Sequence, residues 1–233
     1  HVFDEQNRIE GLNRIRQLVF GSLDGLLVPL GVVSAVAGGT NSSKAVIVAG
    51  IAEAFAGALS MGAGEFISGR SEAQVQQTEV RKELDEIRRE PDYELREMIA
   101  LLELEGVGAD DAAHIADTLA RYPRAYHKTM VEKELGLRVD PRTVQIPEAL
   151  TMGVSYIVGS IFPLIAYFVL PVARALPISI ALTVVALVIV GVVKGKLASL
   201  NLFRSTVEVV AIGIVSAGGG FLLGTVIPRV FGF

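Results

Sequence analysis

Residues 45–68 read AVIVAGIAEAFAGALSMGAGEFIS and run straight into GRSEAQVQQTEVRKELDEIRRE at residues 69–90. The first stretch is apolar on nearly every side over about the twenty residues a helix needs to cross ~30 Å of hydrocarbon. The second is densely charged. No proline separates them before Pro91, so the expectation is one helix from about Lys44 to Glu90, on the order of 70 Å long at 1.5 Å per residue. Gly62, Gly64 and Gly69 weaken it locally but are tolerated in a membrane. About half of this helix then crosses the bilayer and the rest projects into water.

Working outward, further near-continuous apolar runs lie at 18–39, 149–170, 176–193 and 206–230. A soluble chain would place its apolar residues in periodic stripes instead. The fold class expected is an all-α membrane protein with five transmembrane helices and a helical domain inserted between spans two and three. The domains expected are 1–68, 69–146 and 147–233. The first run follows a charged stretch and is full length, so a span rather than a cleaved leader is expected. With His1 in place of Met, the native N-terminus is expected to lie upstream or to have been processed. Residues 1–17, with Arg8, Arg14 and Arg16, read as an amphipathic lead-in on the membrane surface, where Asp4 and Arg8 could pair.

The positive-inside rule puts that end in the cytoplasm, and five spans then put the C-terminus on the other side. The inserted domain falls on the cytoplasmic side, and the turn between Pro171 and Pro177 outside. Within the insert, Asp92 and Asp110 are candidate helix caps, Pro123 suits a first helical turn, and Gly106 and Gly136 suit helix ends. Its apolar residues, Ile87, Leu95, Met98, Leu101, Leu102, Ile115 and Leu119, are few for an independent core. Packing against a second copy would help.

The 233-residue chain contains no cysteine, which removes disulfides and thiolate metal sites and leaves oxygen, imidazole and thioether as ligands. Its net charge of −4 is unevenly spread: residues 70–145 hold 17 acids against 12 bases. That local excess favours cation capture, and no nucleic-acid partner is expected.

Glu83 and Glu86 lie three apart, as do Glu94 and Glu97, and residues at that spacing share a helix face. Glu79, Glu83, Glu86 and Glu90 form an acidic stripe whose ordinary reading is a solvated face, since Arg81, Lys82, Arg88 and Arg89 fill the other sides. A second glutamate pair just beyond the Pro91 bend shifts the balance toward a metal site. Met130 and Glu134 follow four apart. Methionine is commonly core filling, yet a thioether beside carboxylates favours a softer first-row ion such as Fe²⁺ over Mg²⁺ or Ca²⁺. His114 and His127 fall in no ligand pattern and read as structural or surface residues.

Within the apolar runs stand Asp24, in the first, and Glu53, in the middle of the second. An ionisable group at depth is costly unless it lines a polar path, so both are functional candidates. Met61 and Glu65 continue along the second helix. Glu65 reads equally well as an interfacial acid, Glu208 as a pathway or an interfacial group, and Glu148, at the entry to the third span, as interfacial. Gly220-x-x-x-Gly224 permits close helix packing, between spans or between subunits.

Three stretches carry a resemblance to a known family: Val19–Gly25 (VFGSLDG), Ala58–Phe66 (ALSMGAGEF) and Met130–Leu137 (MVEKELGL). In these the chain is similar to the vacuolar iron transporters, a family with plant, fungal and prokaryotic members, and the likeness covers nearly the whole chain. It implies a homodimer that moves Fe²⁺, often also Mn²⁺, out of the cytoplasm in exchange for protons, with no prosthetic group. Asp24, Glu53 and Met61 fall where the family places its membrane path, with Glu65 beside them. Glu83, Glu86, Glu94, Glu97, Met130 and Glu134 fall where it places a cytoplasmic metal site. Val131 stands where some members carry a second methionine. The expected home is the cell membrane of a prokaryote or the vacuolar membrane of a eukaryote. The competing readings are a membrane-anchored metal sensor or store, and a di-iron ferroxidase; the latter lacks the paired Glu-x-x-His usual in such sites.

Overall fold

The computed structural model describes residues 2–139, 146–197 and 201–231, with side chains described from residue 15 onward. The described residues form eight α-helices: α1 Val2–Gly39, α2 Ser43–Arg89, α3 Pro91–Leu104, α4 Ala109–Ala120, α5 Pro123–Lys133, α6 Ile146–Leu164, α7 Val172–Leu197 and α8 Leu202–Phe231. A short 3₁₀ segment, Ile165–Phe168, follows α6. Five of these helices are long and apolar enough to cross a membrane. The chain divides into two compact units, Ile67–Val144 and the remainder.

Helix α2 runs unbroken through its change from apolar to charged sequence, because backbone hydrogen bonding does not depend on side-chain polarity. Helix α1 joins residues of the N-terminal lead-in and the first span in one helix. Its backbone is helical from Val2 onward, and Asp4 and Arg8 lie outside the residues whose side chains are described. Pro177 does not belong to a turn, since α7 begins at Val172 and contains it. As the sixth residue of α7, Pro177 lacks the N–H that would have bonded the Ala173 carbonyl, so the helix gives up one backbone hydrogen bond there.

In the membrane unit α1 packs against α6, α7 and α8. Apolar side chains gain little from leaving lipid, so close backbone approach and interhelical hydrogen bonds hold such a bundle together. A Cβ on Gly25 would collide with the Tyr156 carbonyl on α6, and one on Gly224 with the Ala35 carbonyl on α1. Gly220 meets Gly31 in the same way. The Gly220-x-x-x-Gly224 pair therefore seats α8 on α1 within the chain. Ser216 Oγ donates to the Leu27 carbonyl at 2.8 Å, and Ser179 Oγ to the Pro163 carbonyl at 2.6 Å. Leu26, Leu187 and Val209 fill one apolar cluster, and Val33, Val46, Leu164 and Tyr167 another.

The 67–144 unit is built around Met98, Leu102, Ala112, Ala116, Tyr126 and Met130, with Ile87, Leu95 and Leu119 against them. Ile115, expected in that core, is exposed. The two alanines let α4 approach closely. Asp92 and Asp110 lie in the first turns of α3 and α4 rather than capping them, with Glu90 and Gly108 at the cap positions. There the carboxylates still favour the positive end of each helix. Pro123 opens α5, and Gly106 and Gly136, at φ +94° and +62°, turn the chain after α3 and α5. His127 Nε2 lies 3.0 Å from the Val80 carbonyl, tying α5 to α2.

Candidate metal centre and membrane carboxylates

Three carboxylates from three elements converge in the 67–144 unit. Glu83 on α2, Glu94 on α3 and Glu134 just after α5 each place an oxygen so that all lie within 4.8 Å of one another. Local structure explains the arrangement. Pro91 stops α2 and starts α3, and its bend swings Glu94 back toward Glu83, while the packing of Tyr126 and Met130 sets α5 so that its end delivers Glu134.

Glu83 is 1 % exposed and Glu94 5 % exposed, and each keeps a buried oxygen with no hydrogen-bond partner. Unpaired carboxylates are expensive in such surroundings, so they hold their protons. Burial pushes Glu94 up to about 7, helped by the charges of Glu97, Glu134, Glu86 and Glu90. Glu83 is raised by burial and by the charge and hydrogen bond of Glu134. Glu134 is raised as well, by burial and then by Glu97, with its hydrogen bond to Glu83 acting the other way. The Glu83–Glu134 bond thus keeps its proton on Glu83. Among the described residues no basic side chain forms an ion pair with any of the three. A divalent cation would satisfy these oxygens together, supplying the positive charge the site lacks.

Glu86 is exposed and Glu97 half-buried, and both act on the cluster through their charge. Met130 is fully buried in the apolar cluster beside Tyr126. The Tyr126 hydroxyl, which the spacing of acids did not reveal, is buried without a partner. Its phenol is pushed up to about 12 by burial and by the charges of Glu94, Glu83 and Glu97.

In the membrane unit Glu53 accepts a hydrogen bond from Tyr156 on α6, and its other oxygen is buried and unpartnered. Asp24, half-buried on α1, lies within electrostatic range of the same hydroxyl. The Tyr156 ring covers Gly57, where any Cβ would strike it. Glu65 accepts a hydrogen bond from Gln17 at 3.0 Å, and Met61 is half-buried one turn before it. Glu208 lies 3.7 Å from Lys194 in an exposed pair. Tyr156 and Gln17 were missed in the sequence: one stands in an apolar stretch and the other at the edge of one, neither with a motif, and only α1, α2 and α6 coming together gives them partners.

The sequence model of the VIT family matches residues 15–225. "Vacuolar iron transporter 1" of Eucalyptus grandis is 35% identical over 209 residues, covering 89% of this chain and 84% of that protein. "Vacuolar iron transporter 1" of Arabidopsis thaliana is 33% identical, covering 92% of this chain and 86% of that protein. "Protein CCC1" of Saccharomyces cerevisiae is 33% identical over 89% of this chain and 67% of its own length. With five apolar helices of spanning length and this likeness along nearly all of its sequence, the chain is a multi-pass integral membrane protein that belongs to the VIT family.

Proposed function

We propose that this protein transports Fe²⁺, with Mn²⁺ as a second cargo, out of the cytoplasm in exchange for protons, and that it does so as a homodimer. The observation that carries the reading is the convergence of Glu83, Glu94 and Glu134 with two buried oxygens unpartnered, in a chain whose relatives are named as iron transporters. Residues 67–144 are the cytoplasmic metal-binding domain in this reading. Glu86, Glu97, Met130 and Tyr126 border the three converging glutamates there.

The chemistry follows from the environment of each group. Carboxylates that hold protons near neutrality exchange them for a divalent ion, so capture releases protons on the cytoplasmic side. The ion passes to Met61, Glu65, Glu53 and Asp24 of the membrane unit. Tyr156 gives Glu53 a hydrogen-bond donor when no ion is there, and so keeps a charged group tolerable at depth. Protons arriving from the far side compete for the same carboxylates, which couples the two fluxes.

A metal sensor or store needs the glutamate cluster alone and has no use for Asp24 and Glu53 within apolar helices. The ferroxidase reading loses its footing because the family relatives are transporters, not enzymes. Fe²⁺ flux into sealed proteoliposomes, with and without an imposed pH gradient, tests the proposal. Gradient-dependent uptake that Asp24→Asn or Glu53→Gln abolishes is the expected result; metal binding with no flux would return the protein to the sensor class.

A further inference from the structure

Gln17 stands two residues into the apolar part of α1, is 3 % exposed, and donates from Nε2 to Glu65 Oε1 at 3.0 Å. The start of the first span and the end of the second span's apolar stretch are therefore joined by an amide. Chemistry dictates the amide's orientation, because only its NH₂ side can face a carboxylate. The carbonyl Oε1 of the same amide is left over, and it is buried with no hydrogen-bond partner.

A buried amide oxygen without a donor is disfavoured, and a side chain needed only to anchor Glu65 would not have to bring one. The same oxygen is a neutral, hard ligand of the kind divalent ions accept beside carboxylates. Together with Glu65 it offers one charged and one uncharged donor. An ion crossing a membrane must be held firmly enough to enter and loosely enough to leave, and a single carboxylate supplemented by a carbonyl meets that need better than two carboxylates.

We propose that Gln17 contacts the ion on the transport path: its amide hydrogen positions Glu65 while its Oε1, with the Glu65 carboxylate, takes the passing divalent cation between α1 and α2. The assignment rests on the reading of the chain as a transporter with Glu65 on its route.

The test compares initial rates of Fe²⁺ uptake, under anaerobic conditions, by the full chain in proteoliposomes: wild type, Gln17→Leu, Gln17→Glu and Glu53→Gln. Leucine keeps the volume but removes both polar ends, so KM should rise about tenfold, in line with the loss of a metal-site partner, with the maximal rate changed less than KM. Glutamate places a charged oxygen at the ligand position, so KM should fall while the maximal rate drops as release slows. A mere latch predicts the reverse, because Gln17→Glu would repel Glu65 and raise KM above that of Gln17→Leu. The sign of the KM change in Gln17→Glu therefore decides the matter even if Gln17→Leu does not fold. A raised KM in Gln17→Glu, or an unchanged one in Gln17→Leu, overturns the assignment, while wild-type flux abolished by Glu53→Gln leaves the transport reading standing. Absence of wild-type flux overturns both.

Discussion

Glu94 has a buried oxygen without a partner and like charges around it, so the same change should move stability and binding in opposite directions. Glu94→Gln removes a group that resists ionisation; at neutral pH and without metal it should stabilise the 67–144 unit by on the order of 1 kcal/mol, since each pKa unit corresponds to ~1.4 kcal/mol. It should also weaken Mn²⁺ or Fe²⁺ binding about 10- to 100-fold, as isothermal titration would show. Loss of both stability and binding would mean that Glu94 is structural. In the membrane unit, Tyr156→Phe keeps the ring over Gly57 but removes the donor to Glu53. Hydrogen bonds to charged groups contribute ~1.5–3 kcal/mol, so Fe²⁺ flux should fall about tenfold or more, with the protein still folded. At this scale the glutamate spacing was legible in the sequence, but the selection among the glutamates was not. Glu83 and Glu86 share a face of α2, yet one is buried and the other exposed. The difference comes from where α5 lands, which His127 and Val80 help to set.

Elements meet through backbone in this protein, and that makes some glycines intolerant and their neighbours tolerant. Gly224→Leu places a side chain where the Ala35 carbonyl lies, whereas a Cβ on Gly218 or Gly219 meets nothing within 4 Å. Overpacking of this kind costs typically 1–3 kcal/mol or more. Gly224→Leu should therefore yield little monodisperse protein by size-exclusion chromatography, while Gly218→Ala should behave as wild type. Equal behaviour of the two would mean that α8 does not rely on this contact. The five apolar helices and the continuous α2 were readable because hydrophobic length and the absence of proline are local properties. The seat of Gly220 and Gly224 was not, since a small-residue pair marks a close contact without naming its partner. The helix starts were misread at Asp92 and Asp110 because the residue just before each helix, Glu90 or Gly108, took the cap position.

Across the whole molecule, pH acts on capture and stability together. Glu94 has a value of about 7 in the folded protein against an ordinary 4.5. Between those values the unfolded chain binds fewer protons than the folded one, so stability falls as pH rises through that window and its loss is complete above about 7. Hydrogen exchange of α3 and α5 in the metal-free protein should accelerate from pH 5 to pH 8 beyond the intrinsic rise, and Mn²⁺ should restore protection at pH 8. Metal affinity should fall toward acid by about tenfold per pH unit for each proton displaced. An affinity flat between pH 6 and pH 8 would show that these carboxylates are not the ones the ion meets. The sequence by itself determined that the chain is helical, that five stretches are of spanning length, and that acids gather between the second and third. Each of these depends only on residues near one another along the chain, through hydrogen-bond periodicity and the transfer of apolar groups from water. The tertiary structure alone decided that Glu83, Glu94 and Glu134 share one point, that Tyr156 answers Glu53, and that Gln17 answers Glu65. Those partners lie 11 to 103 residues apart in sequence, and only the packing of whole helices, set by the bulk of apolar side chains and the absence of it at glycine, brings their polar atoms within reach.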